Sequence, residues 1–185
     1  MLYSKHIDKD IKAHEAYHKE KLNSSIKCSP LIQKEGTTVL EYADRDGTKR
    51  ILKYSWQTCK TSTRKFVTRL NKVLDAVQMD LGGADIPNQC FNSMVVYICI
   101  QSDFIIGSIF AFPLENGLAG ISRVWVSKSY RRKGVATKML DALRSSFALG
   151  MKLDKANLAF SQPTTDGSML AQSYAGENYK TFSEV

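Results

Sequence analysis

The four cysteines, Cys28, Cys59, Cys90 and Cys99, include no CxxC pair, and their spacing suggests no disulfide framework. Cys99 sits inside an apolar run, where a thiol reads as core packing, so a reducing compartment is expected. Long apolar runs are missing as well. The longest strongly apolar stretch, Phe104 to Leu114, is interrupted by Gly107 and Ser108 and is too short to span a bilayer. No signal-peptide pattern opens the sequence, and neither an internal repeat nor a low-complexity segment occurs. Acidic residues are the minority: 18 Asp and Glu stand against 26 Lys and Arg, a formal net charge of +8. That excess suits an acidic partner, such as a nucleotide-bearing cofactor, an acidic protein surface or chromatin. The remainder is ordinary for a globular chain: 185 residues, 43% hydrophobic and 24% charged, support one sizeable core with a short extra arm.

One stretch organises the rest, GISRVWVSKSYRRKGVATKMLDALRSSFALG from Gly120 to Gly150. A β-branched apolar run, Ile121 to Val126, predicts a strand. A polar, basic turn follows from Ser127 to Lys133, then the small segment Gly134-Val135-Ala136. Val135, Met139, Leu140, Leu143 and Phe147 recur at helical spacing. This order sets a helix's unpaired first-turn N–H groups and positive dipole end beside Arg131, Arg132 and Lys133. Glycine at the turn lets the backbone approach a ligand closely. These features converge on a phosphate-bearing ligand, and a pyrophosphate fits.

Around this unit the pattern predicts a helix over 7–22, with His14 and His18 on one face, and a linker over 23–36, punctuated by Ser29-Pro30 and Gly36. Strands are expected over Thr37–Tyr42 and Lys49–Tyr54, joined by a turn at Asp44 to Gly47. A helix follows from Thr63 to Leu81, with Phe66, Leu70, Val73, Leu74 and Val77 facing the core and Gly82-Gly83 as its stop. Met94–Ile100 and Ile105–Phe112 form a second hairpin around Ser102-Asp103. Beyond the central unit come a strand, Asn157–Ser161, a short helix, Asp166–Tyr174, with Asp166 as its N-cap, and a final strand over Tyr179–Val185. The order implies an α/β sandwich with a mixed, mostly antiparallel sheet.

The spacing Arg131-x-x-Gly134-x-Ala136 is similar to the acyl-CoA signature of the GNAT acetyltransferases. Its flanks, Gly120-Ile-Ser-Arg-Val-Trp-Val126 and Leu158-Ala-Phe-Ser-Gln-Pro-Thr-Thr-Asp-Gly167, closely resemble the acetyltransferase domain of the cohesion-establishment family. The resemblance implies a GNAT domain over 37–185, with acetyl-CoA as cofactor and a lysine pair on the cohesin SMC subunit's ATPase head as substrate. Chromatin and the replication machinery are then expected partners and the nucleus the location, with no membrane association and direct DNA contact left open. Met1-x-Tyr3, Asp10 and His14-x-x-Tyr17-His18 resemble the back half of the family's zinc finger, which makes 1–22 a finger remnant. His14 and His18 are only half of a tetrahedral site, because the family's cysteine ligands lie upstream of the residue matching Met1. Relatives also often carry a longer insertion where this chain has the short 113–119 loop.

Site roles follow from the same resemblance. Val124, Trp125 and Val126 offer backbone groups to the pantetheine arm and thioester. Arg131, Arg132, Lys133, Gly134, Val135, Ala136 and Thr137 hold the pyrophosphate, and Thr164, Thr165 and Asp166 form another cofactor-contact segment. Asp141 matches a position where relatives carry a functional Glu or Asp and is the first choice of base; an exposed helical Asp is the other reading. Gln162 stands where some relatives have Asp, and Gln cannot act as a base. Tyr174 matches a Tyr near the departing thiolate, or is a packed aromatic. Ser122 and Arg123 point to opposite faces of an extended strand, so at most one lines the site, with Ser122 favoured near substrate. Trp125's side chain is expected in the core. Two alternatives stand beside the cohesin reading: a GNAT acting on another amine, and a non-catalytic chromatin-binding module using the basic surface.

Overall fold

The computed structural model of the chain describes residues 26–55, 64–82, 93–161 and 163–183. Their strands form one sheet in the spatial order β2 (Thr37–Asp44), β3 (Gly47–Ser55), β4 (Val95–Gln101), β5 (Phe104–Pro113), β6 (Ala119–Val126), β7 (Leu158–Ser161) and β8 (Lys180–Phe182). A two-residue β1 (Ile26–Lys27) pairs with the start of β5. Neighbours are antiparallel from β2 to β6, whereas β6–β7 and β7–β8 are parallel. The sheet is mixed and mostly antiparallel, as the pattern of elements predicts.

Alternation explains why both faces are covered. In β4, Val96, Ile98 and Ile100 join one core and Tyr97 and Cys99 the other, and all five are buried. On the first face lies α2 (Arg64–Leu81), which buries Phe66, Leu70, Val73, Leu74 and Val77 at helical spacing. The second face receives α3 (Val135–Ser146) through Val135, Met139, Leu140 and Leu143, and α4 (Thr165–Ala175) through Ala171 and Tyr174. Helix α3 approaches the sheet closely at Gly107, where an added Cβ would meet Met139 Sδ at 2.8 Å. The outcome is an α/β sandwich, and among the described residues no helix is long and apolar enough to cross a membrane.

Three expectations need correction. The linker over 23–36 does not hold from Ile26 onward: Ile26–Lys27 pairs with β5 and Pro30–Glu35 is helical, so the fold includes described residues before 37. Ser29 and Pro30 are a helix start rather than loop punctuation: the Ser29 hydroxyl accepts the Leu31 N–H, and Pro30 opens α1 (Pro30–Glu35). Ile32 in this helix is buried, and its carbonyl accepts the Tyr54 phenol at 2.6 Å. Second, Asp166 is not the cap of α4. Thr164 is, its hydroxyl accepting the Gly167 N–H at 3.2 Å, while Asp166 lies in the first turn at the helix's positive end. Thr164→Ala is expected to cost ~1 kcal/mol of stability, measured as a lower urea midpoint; an unchanged midpoint would contradict the cap. Third, the last strand is shorter than expected, Lys180–Phe182, with residues 184–185 outside the described set. The helix over 7–22 with His14 and His18, and also Cys59, Cys90 and Gln162, likewise lie outside the described residues.

Candidate active site

Strands β6 and β7 pair only over Ala119–Ile121 and Leu158–Phe160, and then part. The cause is visible in the register. On β6, Ile121 faces Ala111 and Arg123 faces Phe110, so Ser122 is an extra residue opposite two consecutive partners. Such a bulge bends its strand and interrupts the ladder. Beyond it, the Ser127 N–H bonds the Ile106 carbonyl at 2.9 Å. By the alternation of an antiparallel ladder, Val124 and Val126 therefore turn their N–H and C=O groups away from β5, toward the parted edge. The opening is a cleft of about 720 Å³, walled by β6, the end of β7, the first turns of α3 and α4, and Asp80 of α2.

One end of the cleft is built for an anion. Gly134 has φ +77° and ψ 3°, a left-handed turn into α3, and an added Cβ would meet nothing within 4 Å. Backbone conformation, not crowding, calls for glycine here. The first intrahelical bond runs from Lys138 N–H to the Gly134 carbonyl at 3.0 Å. The N–H groups of Val135, Ala136 and Thr137 precede it, no side chain of residue 134 caps them, and all three residues line the cleft.

The three cations before Gly134, expected to act together, are divided by the turn. Arg131 lies at the cleft but is engaged: its Nε donates to the Val126 carbonyl at 2.9 Å and its NH2 lies 3.4 Å from an Asp80 oxygen. Arg132, with φ +61° and its side chain 76% exposed, reaches across the mouth to within 3.9 Å of Asp166. Lys133 is not brought to the cleft. Its ammonium bonds Asp46 at 2.9 Å, at the β2–β3 turn, and lies over the Tyr130 ring. Thr164 and Asp166 line the cleft and Thr165 does not. The Trp125 side chain is core, as expected.

At the bulge, Ser122 is buried and lines the cleft, and so does Arg123, whose NH1 donates to the Ser122 carbonyl at 2.8 Å. Strict alternation predicts at most one of them there; the extra residue removes that alternation. Asp141 and Tyr174 do not line the cleft. They bond each other, the phenol donating to Asp141 Oδ1 at 2.5 Å, with Arg144 NH1 3.7 Å from the same oxygen. Each sits one helical turn beyond a lining residue on the same helix face: Asp141 after Thr137 on α3, Tyr174 after Leu170 on α4. Burial, then the bond to Asp141, push the Tyr174 phenol up to about 12, so it is a neutral donor near pH 7.

Asp80 is the site residue that sequence reasoning missed. It lines the cleft, and its Oδ2 accepts the Trp125 indole N–H at 2.8 Å. A buried Trp needs a partner for its N–H, but nothing in the sequence points to one so distant in the chain.

Residues 115–183 match the family model described as ESCO1/2 acetyl-transferase. Among curated proteins, human N-acetyltransferase ESCO1 is 47% identical over 62 residues, which is 34% of this chain and 7% of that protein. Candida glabrata N-acetyltransferase ECO1 is 48% identical over 62 residues, 34% of this chain and 24% of the relative. The chain thus matches less than a quarter of the length of either. Among solved structures, the xEco2 acetyltransferase domain superposes with TM-score 0.68 at 25% identity, covering 81% of this chain and 97% of that domain. The same domain bound to a K105-CoA conjugate gives 0.69 at 24% identity, covering 81% and 98%. The sandwich is therefore of the GNAT-like acetyltransferase type.

Proposed function

We propose that the chain is a member of the cohesion-establishment N-acetyltransferase family of ESCO1, ESCO2 and ECO1, and that it transfers acetyl from acetyl-CoA to lysines of the cohesin SMC subunit's ATPase head. The observation that carries this reading is a single cleft lined both by β6 where it parts from β7 and by the uncapped first turn of α3. A diphosphate joined to a long, narrow arm matches that shape: anion-binding N–H groups at one end, strand backbone unpaired with β7 along the rest. The solved relative bound to a CoA conjugate supports the same cofactor.

In this reading the N–H groups of Val135, Ala136 and Thr137, with Arg132, hold the diphosphate. The backbone of Val124 and the N–H of Val126, whose carbonyl Arg131 occupies, hold the arm, and the thioester supplies the acetyl group. A lysine ammonium must lose a proton before it can attack, and presenting it neutral at pH 7 costs roughly 4.6 kcal/mol. Asp141 is the base we assign. Its side chain is 46% exposed, and Tyr174 orients it through Oδ1, leaving Oδ2 for the incoming ammonium. Tyr174 keeps its own proton, because its phenol at about 12 is a weaker acid than an ordinary thiol at about 8.5. Its part is to hold Asp141. Ser122, buried at the bulge and lining the cleft, is the residue we assign beside the reacting centre.

The division among the cations gives a direct prediction. Arg132→Ala is expected to weaken acetyl-CoA binding by ~5–10-fold, through a lost charge-assisted contact. Lys133→Ala, whose ammonium lies at Asp46, should weaken it less than ~2-fold. Equal losses for the two in titration calorimetry would contradict the placement.

The whole reading is tested by incubating the chain with acetyl-CoA and a cohesin head fragment, then mapping modified lysines by mass spectrometry. Acetylation of neighbouring head lysines is expected. Transfer to small amines without protein lysines would identify a GNAT of another substrate class. Salt-dependent DNA binding without any transfer would identify a chromatin-binding module. Nuclear, chromatin-associated residence near the replication machinery belongs to the same proposal, as does the assignment of residues 1–22 to a finger remnant.

A further inference from the structure

Asp80 occupies a position that helix electrostatics oppose. It is the penultimate residue of α2, where the unpaired carbonyls and negative dipole end disfavour a carboxylate. Yet its Oδ2 receives two donors from elements distant in sequence, the Trp125 indole of β6 at 2.8 Å and the Arg131 guanidinium at 3.4 Å. Arg131 in turn grips the Val126 carbonyl through Nε at 2.9 Å. A single carboxylate thereby joins the end of α2, the open edge of β6 and the turn that leads into Gly134. Asp80 and Arg131 both border the cleft.

We propose that Asp80 is a positioning residue for acetyl-CoA: by fixing Arg131 against β6 it holds the turn that presents the N–H groups of Val135, Ala136 and Thr137. Arg131 is then a strap rather than a phosphate ligand, and Arg132 is the cation left for the diphosphate. This inference rests on the acetyl-CoA reading of the cleft. Pre-organising the turn lowers the cost of ordering it when the ligand binds, so the effect belongs in cofactor affinity and not in the chemical step.

Asp80→Asn tests this, because the amide oxygen can still accept from Trp125 while the charge facing Arg131 is removed. CoA affinity by calorimetry, acetyl-CoA KM, kcat and a thermal melt are measured together. The dissociation constant and KM are expected to rise ~10-fold, with kcat at saturation holding within ~3-fold. Arg131→Gln should produce a similar loss, and the double variant should be no worse than either single one. Should Asp80→Asn not fold, Arg131→Lys keeps the charge but loses the fork that bridges Asp80 and Val126, and it should show the same KM rise. Unchanged affinity, additive losses, or a lowered melt with normal binding by the folded fraction would overturn the proposal. So would tighter binding, the result if Asp80 merely repelled the diphosphate. If the parent binds CoA and Asp80→Asn binds equally well, this inference alone fails; if the parent binds no CoA, the proposed function fails and takes this inference with it.

Discussion

Asp141→Asn is expected to lower turnover on the protein substrate by ~10²–10⁴-fold while leaving acetyl-CoA affinity within about two-fold. The two effects separate because the anion-binding turn and the base are one helical turn apart: Thr137 borders the cleft, and Asp141 stands beyond it. Asparagine preserves volume, and its amide oxygen can still accept the Tyr174 phenol that now bonds Oδ1 at 2.5 Å. The α3–α4 contact should therefore survive, and the loss should fall on proton transfer. Tyr174→Phe keeps the ring and removes the orienting bond, so a smaller loss is expected. A merely structural Asp141 would give the reverse pattern, with stability falling and turnover per folded molecule unchanged. Near-parent turnover of Asp141→Asn from about pH 6 to pH 9 would place the base elsewhere.

Substitutions at Gly134 are expected to order differently for stability and for binding. The residue has φ +77°, so any side chain incurs backbone strain, and an added Cβ meets no neighbour within 4 Å. Alanine in that region costs on the order of 1 kcal/mol, and Asp tolerates it better than Ala. In a thermal melt the Asp variant should therefore be no less stable than the Ala variant. Binding should follow the opposite order. An aspartate at the mouth of α3 places negative charge against the diphosphate, and each like-charge contact at about 4 Å costs on the order of 4 kcal/mol at an effective dielectric near 20, before screening. Acetyl-CoA affinity is expected to fall ~100-fold or more for Gly134→Asp and only a few-fold for Gly134→Ala. If folded Gly134→Asp binds acetyl-CoA as tightly as the parent, the phosphate cradle is not at this turn.

Local signals were legible in the sequence and long-range ones were not. Helical spacing marked α2 and α3, and alternation with Gly47 and Ser102-Asp103 marked both hairpins, because these patterns arise within a few residues of each other. Ser29-Pro30 misled because the same pair serves as loop punctuation or as N-cap and N1, and only the burial of Ile32 decides between them. The bulge at Ser122 is not legible in the sequence, because what makes Ser122 the extra residue is its register against β5, a pairing set beyond the strand itself. Adjacency in sequence groups Lys133 with Arg131 and Arg132, but the turn through Arg132 separates them in space. Asp80 depends on a contact between α2 and β6, and its signal resides wholly in tertiary structure.

A structure of the chain with CoA decides whether the parted strands are the cofactor site. The diphosphate is expected on the N–H groups of Val135, Ala136 and Thr137, with Arg132 released from Asp166 to meet it, and the pantetheine arm along Val124 and Val126 between β6 and β7. CoA seated elsewhere on the molecule, or a cleft that stays empty at saturating CoA, would contradict the assignment of this site.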